Sequence, residues 1–139
     1  MIECLSHITF VCQDIDRMAL ILSEMIGAEQ IYASDEKTFS LSREKFLSAG
    51  GLWIAVMEGP SLSERSYNHV AFKVSEAVLE EATQKAERLG LDIRAPRPRV
   101  PGEGRSLYFY DEDNHLFELH TGTLEERLER YAHKDTALL

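Results

Sequence analysis

One pattern occurs twice in this chain, and the repetition limits what the chain can fold into. Leu5-Ser6-His7-Ile8-Thr9-Phe10-Val11 alternates like a strand and precedes a helical stretch ending near Gly27. Tyr67-Asn68-His69-Val70-Ala71-Phe72-Lys73-Val74 does the same ahead of a stretch ending at Gly90. The two histidines are 62 residues apart and the two glycines 63; Gly59 and Gly122, each following the last strand of its half, are again 63 apart. Unrelated segments rarely hold register in this way, so the chain reads as a duplicated supersecondary unit with a shared site between the halves.

Strand signals fall at about 5–12, 29–34, 38–42, 51–57, 67–74, 91–95, 105–110 and 115–120, and helical periodicity fills about 14–26 and 75–89. Each half therefore reads strand, helix, then three strands, with a short Gly/Pro/Ser linker at 58–66. Thr123-Leu124-Glu125-Glu126 carries the capping-box signature of a helix start, Leu124, Leu128 and Tyr131 then share a face, and Arg127 borders it. The tail after Lys134 is expected to fray.

Alternation decides which side chains share a sheet face. If Ile8, Phe10, Val70 and Phe72 pack under the helices, His7, Thr9, His69 and Ala71 point the other way, into a cup. In the final strand Phe117 and Leu119 belong to the core, leaving Glu118 and His120 on the cup side. The repeat offset places Ala55 opposite Glu118, so the first half offers no matching carboxylate. His7, His69 and Glu118 thus form a candidate metal site with open coordination positions, suited to Mn(II), Fe(II), Co(II) or Zn(II). His120 shares the parity but sits at the strand end, while His115 and His133 read as surface residues.

Glu44 falls in the charged segment Ser42-Arg43-Glu44-Lys45-Phe46, inside an insertion between strands. Most such glutamates are merely solvated, yet a loop over the mouth of a cup is where a general base would stand. Residues 94–106 hold Arg94, Arg97, Arg99 and Arg105 among prolines and glycines, a composition that suits either an anionic ligand group or a solvated connector. Trp53, Tyr67 and Tyr108 are ordinary core aromatics by type, although Trp53 shares the parity of Ala55 and should line the cup.

The formal net charge of −9 and sequence pI near 5.0 argue against nucleic acid or an anionic membrane as partner, since both need a basic face. No apolar run approaches a membrane span, and Met1-Ile2-Glu3 lacks the basic start of a secretory signal, so the cytoplasm is the expected compartment. Cys4 and Cys12 stand about 26 Å apart on one extended strand and cannot pair within it. A small ligand is the expected partner.

These residues resemble the vicinal oxygen chelate superfamily and, within it, the fosfomycin resistance proteins of the FosX type. The likeness runs from residue 1 to about 131. It rests on Leu5-Ser6-His7, Phe39 to Phe46, Glu64-Arg65-Ser66-Tyr67-Asn68-His69, Gly102 to Tyr110, and Asn114 to His120 followed by Gly122 to Leu128. The resemblance implies an α+β fold. A single domain over 1–139 would contain βαβββ modules at about 1–59 and 65–122 and a C-terminal helix at about 123–133. It further implies a homodimer that exchanges modules, so that His7 and the His69–Glu118 pair come from different chains.

By the same resemblance the activity is Mn(II)-dependent hydration of the fosfomycin oxirane, usually at C1, with His7, His69 and Glu118 as metal ligands and Glu44 as general base. Thr9, Trp53, Tyr67, Ser106, Tyr108 and Arg127 match positions around the oxirane and phosphonate, and the loop arginines Arg94 and Arg99 are the candidates for holding the anion. Glutathione-using relatives carry a serine at the place of Gly102 and a potassium-binding loop, neither of which is evident here. One stretch departs from the type: Leu47-Ser48-Ala49-Gly50-Gly51 is smaller and more polar than the apolar run expected after Phe46, a difference that bears on how firmly the Glu44 loop is held and so on activity or substrate. Competing readings are a thiol transferase acting on the same antibiotic, an Fe(II) dioxygenase, and a non-catalytic binder of an anionic metabolite.

Overall fold

Asp14 and Gly27 bracket the first helix: the Asp14 carboxylate accepts from the Arg17 N–H at 3.0 Å, and Gly27 closes the last turn. Around that helix the computed structural model, which describes residues 1–133, builds the first of two compact units. This unit comprises Met1–Glu64 with Glu112–Asn114. Its elements are β1 (Ile8–Cys12), α1 (Ile15–Ile26), β2 (Glu29–Ala33), β3 (Glu44–Ala49) and β4 (Leu52–Glu58). The sheet order is β1-β4-β3-β2, with β1 parallel to β4 and the remaining pairs antiparallel. A parallel pair requires a crossover connection, and the path through α1, β2 and β3 supplies it.

The second unit, Arg65–Asp111 with His115 onward, repeats the plan. It contains β5 (His69–Lys73), α2 (Glu76–Arg88), β6 (Asp92–Arg94), β7 (Ser106–Tyr110), β8 (Leu116–His120) and α3 (Leu124–Ala132), with the sheet in the order β5-β8-β7-β6. Ser75 caps α2 by accepting from the Val78 N–H; Thr123 caps α3 by accepting from the Glu126 N–H, as the capping-box signature at 123–126 requires. The expected fraying after Lys134 lies outside the described residues. Among those residues no helix is long and apolar enough to cross a membrane.

In each unit the helix covers one sheet face. Met18, Ile21, Leu22 and Met25 of α1 are buried together with Phe10, Leu47, Ile54 and Val56 of its sheet. Leu79, Ala82 and Ala86 of α2 are buried with Phe72, Leu107, Phe109, Phe117 and Leu119, and the rings of Phe109 and Phe117 stack at 5.4 Å. The opposite faces carry the candidate site. Registers match between the repeats: Thr9 pairs with Ala55 as Ala71 pairs with Glu118, so Ala55 does stand where Glu118 stands.

One expected strand is corrected. Residues 38–42 form no strand; Phe39 and Leu41 alternate with serines but stand 73% and 96% exposed, so that alternation reflects no buried face. The third strand is β3, which turns through Gly50 and Gly51, both at positive φ, onto β4 with Ala49 paired to Leu52. Two successive left-handed residues make the hairpin turn whose twist suits its flanking strands. The small residues at 47–51 therefore end a strand and build a tight turn; they do not loosen a loop. Glu44, placed in a loop by its sequence, begins β3 instead.

Leu119 is fully buried between the sheet and α2. Leu119→Ala should destabilise the protein by about 2–5 kcal/mol, the usual cost of a core leucine truncation, read as a lowered denaturant midpoint with an unchanged slope.

Candidate metal centre

His69 opens β5, and its Nδ1 lies 2.7 Å from the carbonyl oxygen of Tyr67. A carbonyl only accepts, so Nδ1 carries a proton and the neutral ring presents a lone pair at Nε2. That atom faces Oε1 of Glu118 at 3.1 Å. With the ring neutral, two lone pairs would face each other there, an arrangement that a proton or a cation between them relieves. Donors bound about 2.1 Å from one ion at right angles stand about 3.0 Å apart, so the pair fits two neighbouring ligands of a divalent ion.

The other carboxylate oxygen is already engaged. Glu118 Oε2 accepts from Ser106 Oγ at 2.5 Å and from Arg99 Nη2 at 3.1 Å. Burial alone would raise the Glu118 pKa, but the hydroxyls of Ser106 and Tyr108 and the charge of Arg99 outweigh it and hold the carboxyl below its usual range. Arg99 Nη2 also donates to the Tyr108 hydroxyl at 3.1 Å, and Tyr67 donates to the same oxygen at 3.3 Å. Burial, the Tyr67 hydroxyl and the nearby Glu118 charge push the Tyr108 phenol well above its ordinary value, so it stays protonated. Arg99 is only 11% exposed, and its Nε and Nη1 are buried without a protein partner among the described residues.

The four loop arginines divide. Arg99 enters the site, whereas Arg94 pairs with Asp92 and lies over the Tyr110 ring, lining a small cavity with Tyr67 and Tyr108. Arg97 is bound to Glu103, and Arg105 to Glu76. Arg127 on α3 reaches the site through His120: its Nη2 is 3.4 Å from His120 Nε2, while His120 Nδ1 is 2.7 Å from Ser106 Oγ. Burial, with Arg99 and Arg127 nearby, holds the His120 imidazole below its ordinary value against the pull of Glu118. His115, expected at the surface, is instead mostly buried and bound to Asp111 at 2.8 Å.

The first unit carries the remaining candidates on its uncovered face. The His7 ring packs 4.2 Å from Trp53, whose edge meets Phe46 at 5.2 Å, and Thr9 sits beside Ala55. Glu44 shares that face at the start of β3, is 6% exposed, and accepts no loop position: its backbone N–H donates to Ser34 Oγ at 3.0 Å. A strand holds a functional group more firmly than a loop would. Register shows a further equivalence that the sequence reading missed. Glu44 pairs with Met57 as Ser106 pairs with His120, so Glu44 and Ser106 are repeat counterparts, as are Met57 and His120. The same 62- and 63-residue offsets could have exposed both.

The chain belongs to the Glyoxalase/Bleomycin resistance protein/Dioxygenase superfamily, whose family model matches residues 5–119. Within it, the chain is 58% identical over 132 residues to the fosfomycin resistance protein FosX of Mesorhizobium japonicum, covering 95% of each. Crystal structures of FosX from Listeria monocytogenes are similar throughout. A point mutant complexed with Mn(II) and 1S,2S-dihydroxypropylphosphonic acid superposes with a TM-score of 0.84 at 51% identity, covering 94% of this chain and 99% of that one. A complex with Mn(II) and sulfate gives 0.85 at 52% identity with the same coverage.

Glu103 fixes the loop that delivers Arg99. Its carboxylate accepts from Arg97 at 2.8 Å, from the Val100 N–H at 2.7 Å and from the Tyr131 hydroxyl of α3 at 2.5 Å. The Arg97 and Tyr131 bonds lower its pKa to about 2 against an ordinary 4.5. The stabilisation is therefore complete above about pH 4.5 and is lost as pH falls toward 2. Glu103→Gln should lower the thermal midpoint at pH 7 and flatten its decline between pH 4.5 and 2, measured by circular dichroism melts across that range.

Proposed function

We propose that this protein is a Mn(II)-dependent hydrolase that inactivates fosfomycin by adding water to its oxirane at C1. The carrying observation is the His69–Glu118 pair, two donor atoms at a separation that neighbouring ligands of one divalent ion can have, in a chain more than half identical to FosX proteins. The FosX complex with Mn(II) and a dihydroxypropylphosphonic acid supports hydration in particular, because a diol is what water addition to an epoxide yields.

In this reading His7 joins His69 and Glu118 as the third protein ligand. Two copies of the chain form a homodimer in the cytoplasm and exchange modules, so that His7 comes from the partner chain. The apolar side chains left exposed on α3, Leu124, Leu128 and Tyr131, favour such a partner. The two βαβββ modules then act as one vicinal oxygen chelate domain.

Held by His7, His69 and Glu118, Mn(II) would supply Lewis acidity toward the oxirane oxygen. The protein supplies position and proton transfer. Arg99, whose Nε and Nη1 have no partner among the described residues, is the natural anchor for the phosphonate, and Arg94 and Arg127 add positive charge. Ser106, Tyr67, Tyr108 and Thr9 present hydroxyls around the substrate, and Trp53 supplies an apolar wall. Glu44 takes the proton from the water whose oxygen bonds to C1 as the C1–O ring bond breaks, and the opened ring oxygen takes up a proton to complete the diol.

A phosphorus NMR time course with purified protein, Mn(II) and fosfomycin, without thiol, should show the diol phosphonate appearing. Turnover only after a thiol is added would overturn the hydrolase reading in favour of a transferase. Glu44→Gln should lower hydration by at least about 100-fold, the usual reach of a positioned general base, while Mn(II) binding stays near the wild-type level by electron paramagnetic resonance. Hydration retained in that variant would remove Glu44 from the role.

A further inference from the structure

We infer that His120 is a positioning residue that fixes, through Ser106, which oxygen of Glu118 is presented for metal binding. The inference rests on the proposed metal reading and follows from counting donors. Glu118 Oε2 offers only lone pairs, and Ser106 Oγ lies 2.5 Å from it, so the single hydroxyl proton points at the carboxylate. The same Oγ lies 2.7 Å from His120 Nδ1. Having spent its proton, the hydroxyl accepts there, and Nδ1 is the donor. The ring then presents a lone pair at Nε2, the atom that faces Arg127 Nη2 at 3.4 Å; a guanidinium nitrogen only donates. One assignment satisfies these three contacts: Arg127 to His120, His120 to Ser106, Ser106 to Glu118; His120 Nδ1 also lies 3.5 Å from Glu118 Oε2, on the side where a donor belongs.

The direction of this chain has a chemical result. With Ser106 and Arg99 both donating to Oε2, Oε1 is left facing His69 Nε2. Without His120 the serine hydroxyl can rotate, and Oε2 loses the shorter of the two bonds that distinguish it from Oε1, leaving Arg99 alone to do so.

The backbone is shaped to hold the ring in place. A Cβ on Gly122 would stand 2.7 Å from His120 Nε2 and 2.6 Å from the Glu103 carbonyl oxygen, and one on Gly104 would stand 2.6 Å from the Gly122 nitrogen and 3.2 Å from His120 Cε1. Glycine at both positions lets the main chain close over the imidazole. The repeat counterpart of His120 is Met57, which has no donor to offer, and the first unit correspondingly has Ala55 where Glu118 would be.

The test compares His120→Asn, whose amide nitrogen can take the place of Nδ1, with His120→Gln, whose amide nitrogen lies nearer the place of Nε2. Mn(II) affinity is measured by electron paramagnetic resonance of the free ion, and the thermal midpoint of the metal-free protein is measured alongside. His120→Gln should weaken Mn(II) binding by about 10-fold or more, the usual reach of a ligand's supporting partner, and His120→Asn should recover most of that loss at a similar thermal midpoint. In a Ser106→Ala background His120→Gln should add little, because the two act in series. Wild-type affinity in His120→Gln would overturn the inference. So would equal losses in the Asn and Gln variants, or a full further loss in the Ser106→Ala background. Wild-type protein that binds no Mn(II), or Glu118→Ala that binds it as well as wild type, would overturn the metal reading itself and this inference with it.

Discussion

A carboxylate with two unequal oxygens organises the second unit. One oxygen of Glu118 is saturated by a serine hydroxyl and an arginine; the other meets the lone pair of a histidine whose remaining nitrogen is tied to the main chain. Each of those partners comes from a different element. β5 supplies His69, β7 Ser106, β8 Glu118, and the Pro-rich loop Arg99. The sheet order puts β8 between β5 and β7, so its cup-side residues are flanked on both sides by donors. The helical face of the same strand is filled by Phe117 and Leu119, and that packing keeps the strand from rotating Glu118 away. Core and site are thus two faces of one short strand.

The loop from 95 to 105 has no regular structure, yet it delivers the most buried cation of the site. Its order comes from Glu103, which gathers a guanidinium, a main-chain N–H and a tyrosine hydroxyl around one carboxylate, and from Arg130, which bonds the Pro101 carbonyl. Those contacts join the loop to α3, and α3 also carries Arg127. Loop and helix therefore hold both guanidiniums of the site in a common frame, so a change at either anchor should be felt at the other.

Much of this was legible in the sequence, because it depended on period and parity. The duplicated strand-helix-strand plan, the capping box at Thr123, the correspondence of Ala55 with Glu118, and the placement of Phe117 and Leu119 in the core all follow from local signature, alternation and offset. The third strand of the first half was misplaced because Phe39 and Leu41 alternate with serines as a strand would, and nothing local reveals that both point into solvent. That error carried Glu44 into a loop. The glycine pair at 50–51 was the better signal, since two successive left-handed residues mark a hairpin whatever precedes them. The sorting of the loop arginines lay beyond sequence reasoning: Arg97 and Arg99 differ in role only because Glu103 folds back on one of them. His120 was visible by parity, but its part depends on the bond to Ser106, a contact between strands.

Ala55 stands at the duplicated place of Glu118 and brings no charge there. On the proposed reading, an ion held by a single carboxylate and neutral imidazoles would keep a net positive charge, which a second acid at the repeat-equivalent position 55 would cancel. The half of the gene that lacks the acid is thus as consequential as the half that has it. On that reading an undercompensated cation would attract an anionic substrate and withdraw electrons from a ring oxygen, whereas a symmetric pair of acids would bind the ion more tightly and make it a poorer electrophile.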